Sequence, residues 1–194
     1  MKLILAVSGY AQSGKDTFAD AVVGIIGSKH KCSRFKFAEH LRRAAGMAFS
    51  YLNLNVNPWT EDKAEKEKLR PILVSLGEFA REKNVDVFAG LARDEIKFFL
   101  SSDCEIAIVT DMRYANEHEL LMEMASQNGY KYHRVHITRI GTGPANDAEE
   151  RSVAKLLQHP VDASYIAKDG DLSALNMVAN DYIRTFIIPY INAK

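Results

Sequence analysis

The stretch LILAVSGYAQSGKDTFADAVVGIIG, residues 3–27, decides how the rest of the chain is read. Leu3 to Val7 is a short unbroken apolar run, the pattern of a parallel strand covered on both faces. Gly9, Gly14 and Lys15 then satisfy G-x-x-x-x-G-K, in which glycines let backbone N–H groups wrap a phosphate while the lysine reaches its outer oxygens. Phe18, Ala21, Val22, Ile25 and Ile26 recur at three- and four-residue spacing, and Gly27 can end the helix they define. Three fixed positions are a weak signature by themselves. A loop that leaves a buried strand and opens a helix, whose N-terminal N–H groups face the anion, is the context that gives it weight.

Directly after Lys15, where such loops usually carry Ser or Thr, stands Asp16, with Thr17 one position later. A carboxylate in the first helical turn is favoured by the macrodipole but repels a bare triphosphate. Bound Mg²⁺ reverses that repulsion, so Asp16 is a candidate to hold the metal through coordinated water; the alternative is a helix-terminal acid with no metal contact. Gly9, Gln12, Ser13, Gly14, Lys15, Asp16 and Thr17 are accordingly the candidate binding residues for ATP and Mg²⁺.

The remainder of the chain supports this reading. Its 194 residues, 47% hydrophobic, suffice for one substantial core, and a single domain spanning 1–194 is expected. Lys plus Arg and Asp plus Glu both number 25, so no net positive field draws the protein to nucleic acid or an anionic membrane. Cys32 and Cys104 show no metal-binding spacing and read as reduced residues in or near the core. The apolar run before Gly9 is shorter than a signal-peptide core, and no run approaches membrane-spanning length. These features predict a cytoplasmic protein without membrane partners.

Further strands are expected at 34–38, 105–111 (EIAIVTD), 131–139 (KYHRVHITR) and 164–167, with helices from 38 to about 50, 69–83, 86–101, 116–127 and 171–188. Segment 51–68 reads as a polar loop entering a charged helix start, and GTGPANDAEE, 141–150, as a polar loop. Strands alternating with helices predict an α/β fold, a mostly parallel sheet flanked by helices, with ligands beyond the strand C-termini. The loop at 9–17, Asp111 and Arg139 all fall at such ends. His133 and His136, three apart on a strand, face opposite ways and suggest no histidine catalysis.

SGKDT at 13–17, LGEFAREKNVDVF at 76–88, TDMRYANE at 110–117 and IAKDGDLSAL at 166–175 occur in an order and spacing that resembles the bacteriophage-type deoxynucleoside monophosphate kinases. The displaced threonine of G-K-x-T is similarly shared with adenylate kinase and its relatives. The resemblance covers most of the chain and implies a P-loop NTPase fold of nucleoside monophosphate kinase type, with a helical acceptor-binding insertion at about 38–101 and a lid at about 139–152. It also implies ATP- and Mg²⁺-dependent transfer of a phosphoryl group to a deoxynucleoside monophosphate, in the host cytoplasm if the protein is phage-encoded, and a possible homodimer. The apolar tail YIRTFIIPYI, 182–191, could contribute to such a dimer, and core packing explains it equally well. The same donor loop serves other small acceptors, phosphomevalonate and dephospho-coenzyme A among them, and NTP-binding switch proteins.

Phosphoryl transfer depends on positioning and positive charge, so the arginines matter most. The resemblance assigns Arg113 to the acceptor phosphate or the transferring group, with Asp111 near the metal or an active-site arginine; the alternatives are a surface arginine and a helix-capping aspartate. Arg139 and Arg151 flank the expected lid and join Lys15 in the catalytic set. Lys36, Arg42, Arg43, Trp59, Arg81 and Glu150 form the candidate substrate-binding set. One of the adjacent Arg42 and Arg43 is expected to bind, Arg42 by preference, because neighbouring helix residues diverge by about 100°. For Arg81 a surface salt bridge to Glu78 is the alternative, and for Trp59 a local packing anchor. The resembled family often has a His and Ser-Glu around this lid; here the corresponding stretch is NDAEERS, 146–152, which departs from that pattern and leaves Glu150 as a partial match.

Overall fold

Every residue of β1 (Leu3–Ser8) is buried, as its unbroken apolar run predicts, because β1 occupies the centre of a five-stranded sheet. The computed structural model describes residues 2–167 and 172–189. Its strand order is β2-β3-β1-β4-β5, where β2 is Cys32–Phe35, β3 Ile106–Met112, β4 Lys131–Arg139 and β5 Ala163–Ala167. All four pairings are parallel, with Leu3 in register with Ile106 on one side and Lys131 on the other. The sheet is thus wholly parallel among the described residues.

Alternation along β1 sorts its side chains between two cores. Leu3, Leu5 and Val7 pack with Phe18, Val22 and Ile26 of α1 (Lys15–Ile26) and with the C-terminal segment formed by the last helix, Leu172–Tyr182, and a π-helical turn at Ile183–Ile187. Ile4 and Ala6 face the other way, against Ala92 and Ile96 of α4 (Val87–Ser101) and Leu121 and Met124 of α5 (Ala115–Asn128). Full burial of such Leu, Ile or Phe side chains contributes about 1.5–3 kcal/mol each, which anchors β1 against both layers. The helix after β1 lies on one face and the helix after the adjacent β3 on the other. The C-terminal ends of β1 and β3 therefore border the crevice where an open parallel sheet binds its ligand.

Several boundaries differ from the sequence expectation. Strand β2 stops at Phe35, and Phe37 opens α2 (Phe37–Tyr51), because the Asp111 carboxylate accepts the Phe37 and Ala38 N–H groups at 2.8 and 2.9 Å. Helix α3 spans Lys63–Lys83 rather than beginning near 69: the Asp62 side chain caps it by accepting from Glu65 N, and it continues through Pro71. A helix α6, Asp147–Leu156, occupies the end of the expected 141–150 loop, capped by Asn146 through Glu149 N. Helices α2 and α3 share a small core of Ala45, Phe49 and Leu69. In the tail, Tyr182, Ile183 and Ile187 are buried against α1, so their apolar character serves the core; Tyr190 and Ile191, like Lys168–Asp171 of the IAKDGDLSAL motif, lie outside the described residues. No helix among the described residues is long and apolar enough to cross a membrane. Cys32 and Cys104 are free thiols.

Candidate active site

The loop after β1 is shaped by its positive backbone angles. Gly9 has φ 141° and Gly14 φ 95°, and Gln12 between them reaches φ 62°. A Cβ at Gly9 would lie 2.2 Å from the Ile137 carbonyl oxygen, so only glycine lets the loop leave β1 against the β4 backbone. Inside the loop, the Ser13 hydroxyl is buried without a hydrogen-bond partner among the described residues. A buried polar group left over in this way fits a loop that receives an anion.

Lys15 is the first residue of α1 and only 7% exposed. Its ammonium donates to the Tyr10 carbonyl. Burial and, next, the Arg113 guanidinium lower its pKa to about 8, against the opposing pull of Asp16, Glu149 and Asp111. Asp16 follows, its carboxylate accepting from the Thr110 hydroxyl at 3.1 Å and pairing with Lys36 at 2.9 Å and with Arg34. Burial pushes the Asp16 pKa up, but Lys36, Thr110 and Arg34 together hold it below the usual carboxylate value. Thr17 lies half-buried in the same helical turn.

From β3, Asp111 turns to the start of α2, as described, while Arg113 is held from two directions. Its backbone N–H donates to Glu117 Oε2 at 2.8 Å and its guanidinium lies 3.1 Å from Glu149 Oε1. Glu117 also accepts the Tyr114 N–H at 3.0 Å, and burial, reinforced by Asp111, raises its pKa to about 8. Arg139, at the end of β4, donates to the Gln12 carbonyl at 3.2 Å. Lys15, Asp16, Asp111, Arg113 and Arg139 thus meet around the loop.

The remaining candidates are dispersed. Arg42 donates to the Pro58 carbonyl, while Arg43 pairs with Glu39 and with Glu95 at 3.2 Å. The indole N–H of Trp59 donates to Glu39 at 3.0 Å, and its ring lies against Gly46 of α2. Arg81 makes no ion pair with Glu78 among the described residues; its guanidinium lies over the Tyr114 and Phe88 rings, 4.7 and 5.1 Å from their centroids. Arg151 and Glu150 are exposed on α6.

Sequence reasoning missed Arg34, Thr110, Glu117 and Glu149. Glu149 had a signal: Asn146-x-x-Glu149 is the spacing of a capping box, which marks a helix start and an inward-turned glutamate. Glu117, three residues after Tyr114, sits at the corresponding position of α5.

A wholly parallel sheet, a glycine-shaped loop feeding a helix, a buried loop lysine and arginines converging at the strand ends define a P-loop kinase. The sequence model of the phosphomevalonate kinase family matches residues 7–127, well over half of the chain. The chain belongs to that family. Among solved structures, the fold is similar to APS kinase CysC of Mycobacterium tuberculosis in complex with AMPPNP and APS, at 14% identity and TM-score 0.51, over 95% of this chain and 98% of that one. It is also similar to Kti12 of Chaetomium thermophilum in complex with ADP-AlF3, at 13% identity and TM-score 0.51, over 93% and 97%. Both likenesses concern the fold. No curated protein sequence matches the chain. Family and fold reach as far as a P-loop kinase, and neither names a deoxynucleoside monophosphate as acceptor.

Proposed function

We propose that the protein transfers the γ-phosphoryl group of Mg²⁺-ATP to the phosphate of a small phosphorylated acceptor, a deoxynucleoside monophosphate, yielding the diphosphate and ADP. The observation that carries this reading is the bridge that Glu149 makes between the loop and Arg113, its Oε1 lying 3.2 Å from Ala11 N and 3.1 Å from Arg113 Nη1, so that the guanidinium stands beside the loop that ends at Lys15. Two cations at the adjoining ends of β1 and β3 suit an anion that bears charge on both its donor and acceptor sides.

In this reading the loop N–H groups and Lys15 hold the donor phosphates, and Arg113 balances the charge on the group in transit. The glycines Gly9 and Gly14 give the loop its curvature, and Ser13 supplies a further donor. Asp16 would hold the metal from the turn that opens α1, where Mg²⁺, typically bound by one or two carboxylates together with substrate phosphates, would take up the carboxylate charge that Lys36 and Arg34 balance in this structure. When bound, Mg²⁺ neutralises phosphate charge. Arg139 and Arg151 belong to a lid at about 139–152, and α2 to α4, at about 38–101, form the acceptor side with Lys36, one of Arg42 and Arg43, Trp59 and Arg81. The motifs LGEFAREKNVDVF and TDMRYANE support a deoxynucleotide acceptor.

The family match favours a second reading, phosphomevalonate as acceptor. The two are separated by offering deoxynucleoside monophosphates, ribonucleoside monophosphates and phosphomevalonate in turn, with ATP, and following ADP release. Turnover with deoxynucleotides supports the proposal, and turnover with phosphomevalonate alone replaces it.

A further inference from the structure

Three consecutive residues at the tip of the loop are gripped by charged side chains from three elements. Lys15 of α1 donates to Tyr10 O, Glu149 of α6 accepts from Ala11 N at 3.2 Å, and Arg139 of β4 donates to Gln12 O at 3.2 Å. Glu149 also reaches elsewhere. Its Oε1 is 3.1 Å from Arg113 Nη1, and its Oε2 accepts the Ala145 N–H at 2.7 Å. At 6% exposure it is a buried carboxylate whose contacts run to the loop, to the arginine after β3 and to its own helix start.

A glutamate at this position of a capping box ordinarily reaches back to the N-cap N–H. Here it takes the N–H one residue earlier with one oxygen and turns the other outward, to Ala11 and Arg113. Helix capping alone does not require that outward oxygen. Arg113, meanwhile, has its backbone fixed by Glu117 and its guanidinium by Glu149, so a long side chain with several rotatable bonds is oriented at both ends. The carboxylate also stands near both Lys15 and Arg113 and offsets the repulsion between them.

We infer that Glu149 is a positioning residue for phosphoryl transfer, aiming the Arg113 guanidinium and fixing the loop tip in one geometry. Its contribution falls on the chemical step, because misplacement of a charge-stabilising group by about 1 Å can lower turnover about a hundredfold while leaving ground-state binding largely intact. The inference rests on the reading of Arg113 as a phosphate-facing group.

The test compares wild type, Glu149→Gln, Arg113→Met and the double variant, using ATP hydrolysis without acceptor as well as transfer to the best acceptor found. Glu149→Gln keeps an oxygen for the Ala145 N–H and so spares the start of α6. The expected result is a kcat lowered about ten- to a hundredfold with KM for ATP changed less than about threefold, and a double variant no slower than Arg113→Met. A kcat within twofold of wild type overturns the inference, as do losses that multiply in the double variant. A lowered thermal midpoint with unchanged kcat also overturns it, since that is the signature of a purely structural glutamate. If Arg113→Met itself leaves both activities unchanged, the assignment of Arg113 fails instead. The acceptor-free assay keeps the outcome independent of acceptor identity.

Discussion

With a pKa of about 8, Lys15 is partly neutral in the free protein at mildly alkaline pH, whereas phosphate binding requires its ammonium form. Nucleotide binding must then recapture a proton. If the bound triphosphate holds Lys15 fully charged, uptake on binding is about 0.1 proton at pH 7, about 0.5 at pH 8 and about 0.9 at pH 9. Apparent affinity weakens about tenfold between pH 7 and pH 9, or about 1.4 kcal/mol. The groups facing Lys15 are Asp16 on α1, Asp111 on β3, Arg113 just after it, Glu149 on α6 and His136 on β4. Burial lowers the His136 pKa from its ordinary value of 6.5, so this imidazole is already neutral at pH 8 and adds nothing there. Calorimetric titration with AMPPNP, in buffers of different ionisation enthalpy, measures the uptake directly. Arg113→Met supplies a structural control: it removes a nearby cation that depresses the lysine, so the uptake curve should move to higher pH. Absence of proton uptake at pH 9, or the same uptake in Lys15→Met, would refute the reasoning.

Three further outcomes follow from other contacts. Asp111→Ala leaves the Phe37 and Ala38 N–H groups without their carboxylate and should cost about 2–4 kcal/mol in denaturant unfolding, with Asp111→Asn costing less; an unchanged midpoint for the alanine variant would contradict the capping role. Arg134 is fully buried and its guanidinium donates to the Leu156, His159 and Pro160 carbonyls, so Arg134→Met should lower stability by on the order of 3 kcal/mol, measured in the same way. Gly9→Ala drives a methyl group into the Ile137 carbonyl, whereas at Gly14 the nearest atom is a Leu175 methyl at 3.8 Å and only the positive φ opposes a side chain. Gly14→Ala should therefore cost about 1–2 kcal/mol and Gly9→Ala distinctly more, and equal thermal shifts for the two would show that the close approach at Gly9 is relieved by backbone movement.

Much of the architecture was legible because it is local. The apolar run at 3–7, the glycine loop and the periodic helix after it each reflect interactions within a few residues, and the fully buried β1 follows from them. KYHRVHITR coincides with β4 for the same reason. Boundaries set by distant partners were not legible: β2 ends where it does because Asp111, 74 residues away from Phe37 in sequence, caps the next helix. Helix α3 begins earlier than its apolar periodicity indicates because Asp62 caps it, and it continues through Pro71.

The site divides along the same line. By itself the sequence determined the phosphate loop and the presence of Asp111 and Arg113 at a strand end, because glycine spacing and strand polarity are properties of neighbouring residues. Only the tertiary structure decided that Arg81 lies over Tyr114 and Phe88 instead of pairing with Glu78, and that buried Glu149 rather than exposed Glu150 meets the loop. Adjacent residues on a helix point about 100° apart, and which of them faces a loop more than a hundred residues away depends on how the helix docks, a quantity that no local pattern contains.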